Sequence, residues 1–251
     1  MNITLLGHHD IASLFALNRV MSLLPEHNYS ILLSGELGTQ AAPEDSLARL
    51  VEADAQLCEQ FLAGSIIGPV AVQLSQRPHA TLPKPNSAAG LQILRDLEPE
   101  LIISIRYRRI LREEAIAIPE QGVLNLHSGI LPDYKGVMAT FWALLAGEEQ
   151  IGATLHRITD SGIDTGPVMQ IYRRPARPER SYLANVLGLY AGGCNMIAAA
   201  VRAIAAGEAV PAQAQTGEGR YFGAPCAAAV RRFTEQGLIL ADGEEAAEIR
   251  S

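Results

Sequence analysis

The sequence predicts a doubly wound, mostly parallel α/β sheet, and three observations carry that expectation. Short β-rich runs alternate with helix-patterned segments over the first 130 residues, the order that builds strand–helix–strand units. The run "LIISI" (101–105) has no polar alternation, as a strand covered on both faces requires. A length of 251 residues, with 48% hydrophobic and 19% charged content, supplies the apolar material for one large core.

The elements follow in order. "NITLL" (2–6) is β-rich and ends at Gly7, and Asp10 then opens a segment with Ile11, Leu14, Phe15, Leu17 and Val20 at helical spacing; Asp is a good helix N-cap. "YSILLS" (29–34) reads as a second strand, and residues 43–63 as a helix with leucines at helical spacing. Residues 86–100 form another helix, capped by Asn86 or Ser87 and stopped before Pro99. "LIISI" and "GVLNLH" (122–127) are the next strands. A loop (128–137), a helix (139–147) and a hairpin of 151–158 with 167–174 come next, the hairpin joined by the acidic loop "TDSGIDTG". A long helix runs from a cap at Ser181 to about Ala206 and a last amphipathic helix covers 225–236. Residues 1–206 are therefore expected to form one domain, with 207–251 a short C-terminal extension packed on it and ending in a frayed acidic tail.

Composition excludes several classes. No apolar run is read as long enough to cross a bilayer, and "MNITLLGHHD" has neither the basic flank nor the cleavage site of a signal peptide, so the expected location is cytoplasmic. Cys58, Cys194 and Cys226 are too few and too dispersed for a disulfide framework or a zinc site. The net charge of −7 comes without a concentrated basic patch, so neither nucleic acid nor membrane is expected as a partner. Phe141 and Trp142 are expected in the core, and His27 and His79 at the surface.

Ligands of a doubly wound sheet bind beyond the carboxyl ends of its strands. Asn125 and His127 fall at such an end, and being two apart they share one face of the strand. The stretch "NLHSGILPDYKG" followed by "GATLHRITDSGIDTGPVMQ" resembles the folate-dependent formyltransferase family, which includes glycinamide ribonucleotide, methionyl-tRNA and sugar N-formyltransferases. The resemblance is strong over residues 96–170. Three separated elements recur in order: Asn-x-His, then Leu-Pro-x-x-(Lys/Arg)-Gly, then Asp-x-Gly. It implies a Rossmann-like sheet of the formyltransferase type, with 1–206 as the catalytic domain and N10-formyltetrahydrofolate as formyl donor.

Carried over residue by residue, the family's catalytic Asn, His and Asp fall on Asn125, His127 and Asp164. Such groups suit attack of a neutral amine on a formyl carbon: an amide and an imidazolium donate to the oxyanion, while a carboxylate holds the imidazolium and relays a proton. The family's folate loop corresponds to "RYRRIL" (106–111), giving Arg109 and Leu111 as donor-binding residues, with Thr159 and Asp160 opposite. Arg106, Arg108 and Arg109 can equally be solvated turn residues, and Asp160 a turn former. His156 packs against or supports the site.

The family's usual His-Pro-Ser-Leu-Leu-Pro or His-Gly-Ser-Leu-Leu-Pro reads here as His127-Ser128-Gly129-Ile130-Leu131-Pro132, and Val137 and Met138 replace smaller residues, which predicts a narrower acceptor mouth. The loop "GHHDIA" after the first strand places His8, His9 and Asp10 as candidate acceptor-binding residues, with Asp10 as a mere helix cap the bland alternative. The expected acceptor is a small-molecule amine, either an amino sugar nucleotide or an amino-acid-derived amine such as hydroxyornithine; hydrolysis of the formyl donor is the alternative reaction. The acidic balance and the chain's end at residue 251 lead to the expectation that tRNA is not the acceptor.

Overall fold

The computed structural model describes residues 1–35, 47–61, 70 and 81–242. Strand β1 (Asn2–Gly7) pairs in parallel with β2 (Asn28–Leu33) on one side and β3 (Leu101–Ile105) on the other. β4 (Val123–His127) extends the parallel set beside β3. A short strand β5 (Lys135–Gly136) leaves the sheet, and β6 (Gln150–Ile158) and β7 (Val168–Pro175) complete it as an antiparallel hairpin, giving the order β2-β1-β3-β4-β6-β7. β5 instead forms a two-stranded parallel ribbon with β8 (Tyr221–Phe222). The mostly parallel sheet matches the predicted fold class.

Seven helices are described among these residues: α1 (Ile11–Leu23), α2 (Ala48–Gln60), α3 (Ala88–Asp96), α4 (Glu113–Ile116), α5 (Ala139–Leu145), α6 (Tyr182–Ala205) and α7 (Ala227–Glu235). Asp10 caps α1 and Ser181 caps α6 through side-chain oxygens that accept backbone N–H bonds. Of the two candidates for α3, Ser87 is the cap. The helix expected over 43–63 is seen as Ala48–Gln60; residues 43–46 and 62–63, like His79 and the tail beyond 242, lie outside the described residues.

The two sheet faces bury separate cores. Ile3, Leu5, Leu101, Ile103, Leu124 and Leu126 pack with α1, α5, α6 and α7. Leu6, Ile102 and Val123 pack on the opposite face with Leu91, Leu94 and Ala115. Side chains alternate along a strand, so Asn125 and His127 share the face of Val123 and leave α6 to Leu124 and Leu126.

Two expectations need correction. α6 is long and apolar enough to cross a membrane by length and composition, contrary to the reading of the bare sequence, but 72% of its most apolar window is buried inside the fold. Its hydrophobicity on all sides is that of a core helix. His27 is not a surface residue: its side chain is 7% exposed and sits beside the N-terminal ammonium. Phe141 and Trp142 pack as expected: Phe141 is fully buried, stacked on Phe233 at 4.4 Å, and Trp142, half-buried, packs against the same core, stacks on Phe222 and donates from Nε1 to the Gly223 carbonyl at 3.1 Å.

The described part of the C-terminal extension is woven into the same core. Phe233, Leu238 and Leu240 are buried in the α6 side of the sheet. Tyr182 and Leu183 donate backbone N–H bonds to Ile239 and Leu240 at 2.7 and 3.1 Å.

Candidate active site

Asn125 and His127 end β4 among the carboxyl ends of the parallel strands, and the β6–β7 hairpin brings Asp164 to them. In the β4–β6 register Asn125 faces His156, and a register shift falls between Leu155 and His156, the kind of irregularity that re-aims a side chain at a site. Asp164 itself is held in the left-handed region, φ 53°, which Asp tolerates better than most residues.

The hydrogen bonds make one network. His127 donates from Nε2 to the Tyr134 carbonyl at 2.6 Å and places Nδ1 3.4 Å from Asp164 Oδ2. His156 donates from Nδ1 to the Arg157 carbonyl at 3.0 Å, and its Nε2 lies 3.0 Å from Asn125 Nδ2 and 3.5 Å from Asp164 Oδ1. Asn125 Nδ2 also lies 3.5 Å from Asp164 Oδ1. Gly136 N–H donates to Asp164 Oδ2 at 2.8 Å. Burial pushes the Asp164 carboxyl up, but the charge of His127, the bond from His156 and the Gly136 N–H outweigh it and bring the group from 3.8 down to about 2. Asp164 is therefore ionised at neutral pH while only 10% of its side chain is exposed.

The displaced glycine in His-Ser-Gly has a steric reason. A Cβ at Gly129 would come within 2.6 Å of His127 Nε2, the Tyr134 carbonyl and Ala139, so only glycine lets the chain fold over the histidine. Ser128 is buried and its carbonyl accepts from Thr140 Oγ1 at 2.9 Å. Val137 is 46% exposed, and Met138 follows it at φ 54°.

The "GHHDIA" loop is more committed than an open subsite. His8 is buried, bonds through Nδ1 to Ser34 Oγ at 2.8 Å and donates its N–H to Ser13 Oγ at 2.9 Å. Burial and the Arg108 charge push the His8 ring down to about 4, against the pull of Asp10, so it is neutral at pH 7. Asp10 is buried, accepts from Ser13 N at 2.8 Å and takes Arg106 Nε and Nη2 and Arg108 Nη2 at 2.9–3.1 Å. His9 differs, because its Nε2 is buried with no hydrogen-bond partner among the described residues. Arg106 is not a solvated turn residue: its side chain is 18% exposed and its φ is 59°.

Among the described residues, the expected donor-binding side chains make no hydrogen bond to this network. Arg109 is exposed and donates from Nε to the Pro83 carbonyl at 3.0 Å; Leu111 is buried in the second core. Thr159 and Asp160 are exposed, and Asp160 Oδ1 accepts from Gly162 N–H at 2.7 Å and Thr165 Oγ1 at 3.1 Å, shaping the loop that carries Asp164.

Sequence reading missed Asp54, whose Oδ1 accepts the Ile11 N–H at 3.0 Å; burial and the nearby Asp10 charge raise it to about 7. It also missed the Tyr134 carbonyl, the Gly136 N–H and Gln215. The first two sit inside the quoted "PDYKG" stretch, where a backbone role has no side-chain signature.

Residues 68–182 match the family described as formyl transferase. A methionyl-tRNA formyltransferase of Thermus thermophilus is 40% identical over 96 residues, 38% of this chain and 31% of that relative; the chain thus spans less than a third of that relative's length in the match. An N-formyltransferase from Helicobacter canadensis, solved with folinic acid and dTDP-3-aminofucose, superposes with a TM-score of 0.58 at 16% identity, covering 97% of this chain and 85% of that one. Glycinamide ribonucleotide transformylase 1 from Symbiobacterium toebii gives 0.57 at 19%, covering 85% and 93%. Residues 68–182 are thus similar to a formyl transferase domain, and the chain has the fold those structures share.

Proposed function

We propose that this protein moves the formyl group of N10-formyltetrahydrofolate to the amine of a small molecule. The observation that carries the reading is the convergence of Asn125, His127 and Asp164 at the end of β4, with the carboxylate 3.4 Å from the imidazole and 3.5 Å from the amide. The neutral amine attacks the formyl carbon, a C–N bond forms, and the carbonyl electrons move onto oxygen. In the free site His127 Nε2 donates to the neutral Tyr134 carbonyl, and Asn125 Nδ2 lies 3.0 Å from His156 Nε2 and 3.5 Å from Asp164 Oδ1. A developing oxyanion is the stronger acceptor and draws those hydrogens toward itself, so the stabilisation grows with the charge. The amine's proton passes to Asp164 through water. The bond to N10 then breaks, its electron pair stays on N10, and a proton returns there, giving a formamide and tetrahydrofolate.

Arg109, Leu111, Thr159 and Asp160 are assigned to the folate side. The co-crystallised folinic acid of the Helicobacter canadensis neighbour supports a reduced folate as donor, and its dTDP-3-aminofucose supports an amino sugar nucleotide as acceptor. The α1 N-terminus, a ready anion site in many α/β proteins, already has Ser13 and Ile11 N–H bonded to Asp10 and Asp54, so an acceptor phosphate is not expected there. His9, with its unpartnered Nε2, is the loop residue assigned to the acceptor.

Steady-state release of tetrahydrofolate from N10-formyltetrahydrofolate, with dTDP-3-aminofucose and hydroxyornithine as trial acceptors, tests the reading. Asn125→Ala is expected to lower kcat by about 10²–10³-fold, the scale of one lost oxyanion donor, with donor KM little changed; full turnover in that variant sinks the assignment. His9→Ala is expected to raise the acceptor KM while leaving folinic acid affinity unchanged. An unchanged acceptor KM moves the acceptor away from this loop.

A further inference from the structure

We propose that Gln215, in the C-terminal extension, is a positioning residue that clamps the Asp164 turn. Its Nε2 donates to the Asp164 carbonyl at 2.8 Å and to the Gly166 carbonyl at 2.9 Å, so one amide uses both hydrogens on the two ends of the turn. The neighbouring chain is fixed to β7: Gln213 and Val168 exchange backbone N–H bonds, both at 2.8 Å.

The turn needs such an anchor. Residues 159–163 and 165 are exposed, and Asp164 sits in left-handed backbone between them. Gly136 holds the carboxylate from one side, through the β5–β8 ribbon in which Val137 N–H donates to the Phe222 carbonyl at 2.8 Å. Gln215 holds the backbone from the other. Gln215 Oε1 is buried without a hydrogen-bond partner among the described residues, a cost that a side chain kept only to fill space would not carry.

The catalytic consequence rests on the formyl-transfer reading, and the test separates the two. Gln215→Met keeps length and bulk and removes both donors. With N10-formyltetrahydrofolate as the varied substrate, kcat is expected to fall about ten- to hundredfold, the scale of a small misplacement of a reacting group, with KM for the donor unchanged. Amide hydrogen exchange is expected to rise about tenfold at Gly136, whose N–H relies on the Asp164 carboxylate, and to stay unchanged at Val137, which bonds only within the ribbon. Unchanged exchange at Gly136, equal acceleration at both amides, or an unaltered kcat overturns the proposal. If the wild-type protein releases no tetrahydrofolate, the transfer reading fails, and the two amides still decide whether Gln215 holds Asp164.

Discussion

Asp164→Asn is expected to lower turnover by about 10²–10⁴-fold, the range for loss of a positioned acid–base group, with the fold intact. Asparagine keeps the size of the side chain and can still accept from Gly136 N–H. What it removes is the negative charge beside His127 and the only ionised proton acceptor in the network. Burial alone would favour a neutral acid here, and the carboxyl is held down to about 2 by His127, His156 and Gly136; the protein maintains that charge against desolvation. The variant's rate, measured alongside its folinic acid affinity, checks the expectation. A near-normal rate would reduce Asp164 to a shaping role.

The largest stability effect is expected at Asp10. Asp10→Ala leaves Arg106 with 18% side-chain exposure and without its hydrogen-bonded carboxylate, and a buried charge stripped of its partner costs about 3–5 kcal/mol. The lost α1 cap adds about 1 kcal/mol. Asp10→Asn separates the two, because asparagine caps a helix as well as aspartate does. Burial raises the Asp10 carboxyl, but Arg106 and Arg108 outweigh it and hold it well below 3.8. A group depressed in the folded state stabilises above its unfolded value and loses that contribution as pH falls. The stability gap between wild type and Asp10→Asn in urea titrations is therefore expected to be full at pH 7 and to narrow below pH 3.8. A gap independent of pH would contradict the ion-pair account.

Local pattern made much of this legible. β1, β3 and β4 follow from short β-rich runs, and Asp10 and Ser181 from cap chemistry beside apolar periodicity. The place of Asn125 and His127 at a strand end was legible from the sequence, whereas their catalytic assignment, and Asp164 altogether, came from the resemblance of the motifs to the formyltransferase family. Other features depend on distant parts of the chain. The Asp10–Arg106 pair joins residues 96 apart, so neither local sequence marks it as buried. Gln215 reaches Asp164 only because residue 213 pairs with 168, a long-range register that no short motif encodes. α6 misled for a related reason: an all-round apolar helix reads alike in a membrane and in a core, and the packing partner decides between them.

The central claim is that this constellation hands a formyl group to an amine. Its most direct measurement is a single turnover with enzyme in excess over N10-[¹³C]formyltetrahydrofolate and dTDP-3-aminofucose or hydroxyornithine, following the label by NMR. The account predicts that the carbon appears as a formamide of one added amine at the rate tetrahydrofolate is released, and that Asn125→Ala slows both together. Label appearing as formate at the same rate with and without amine would contradict it and make the protein a hydrolase.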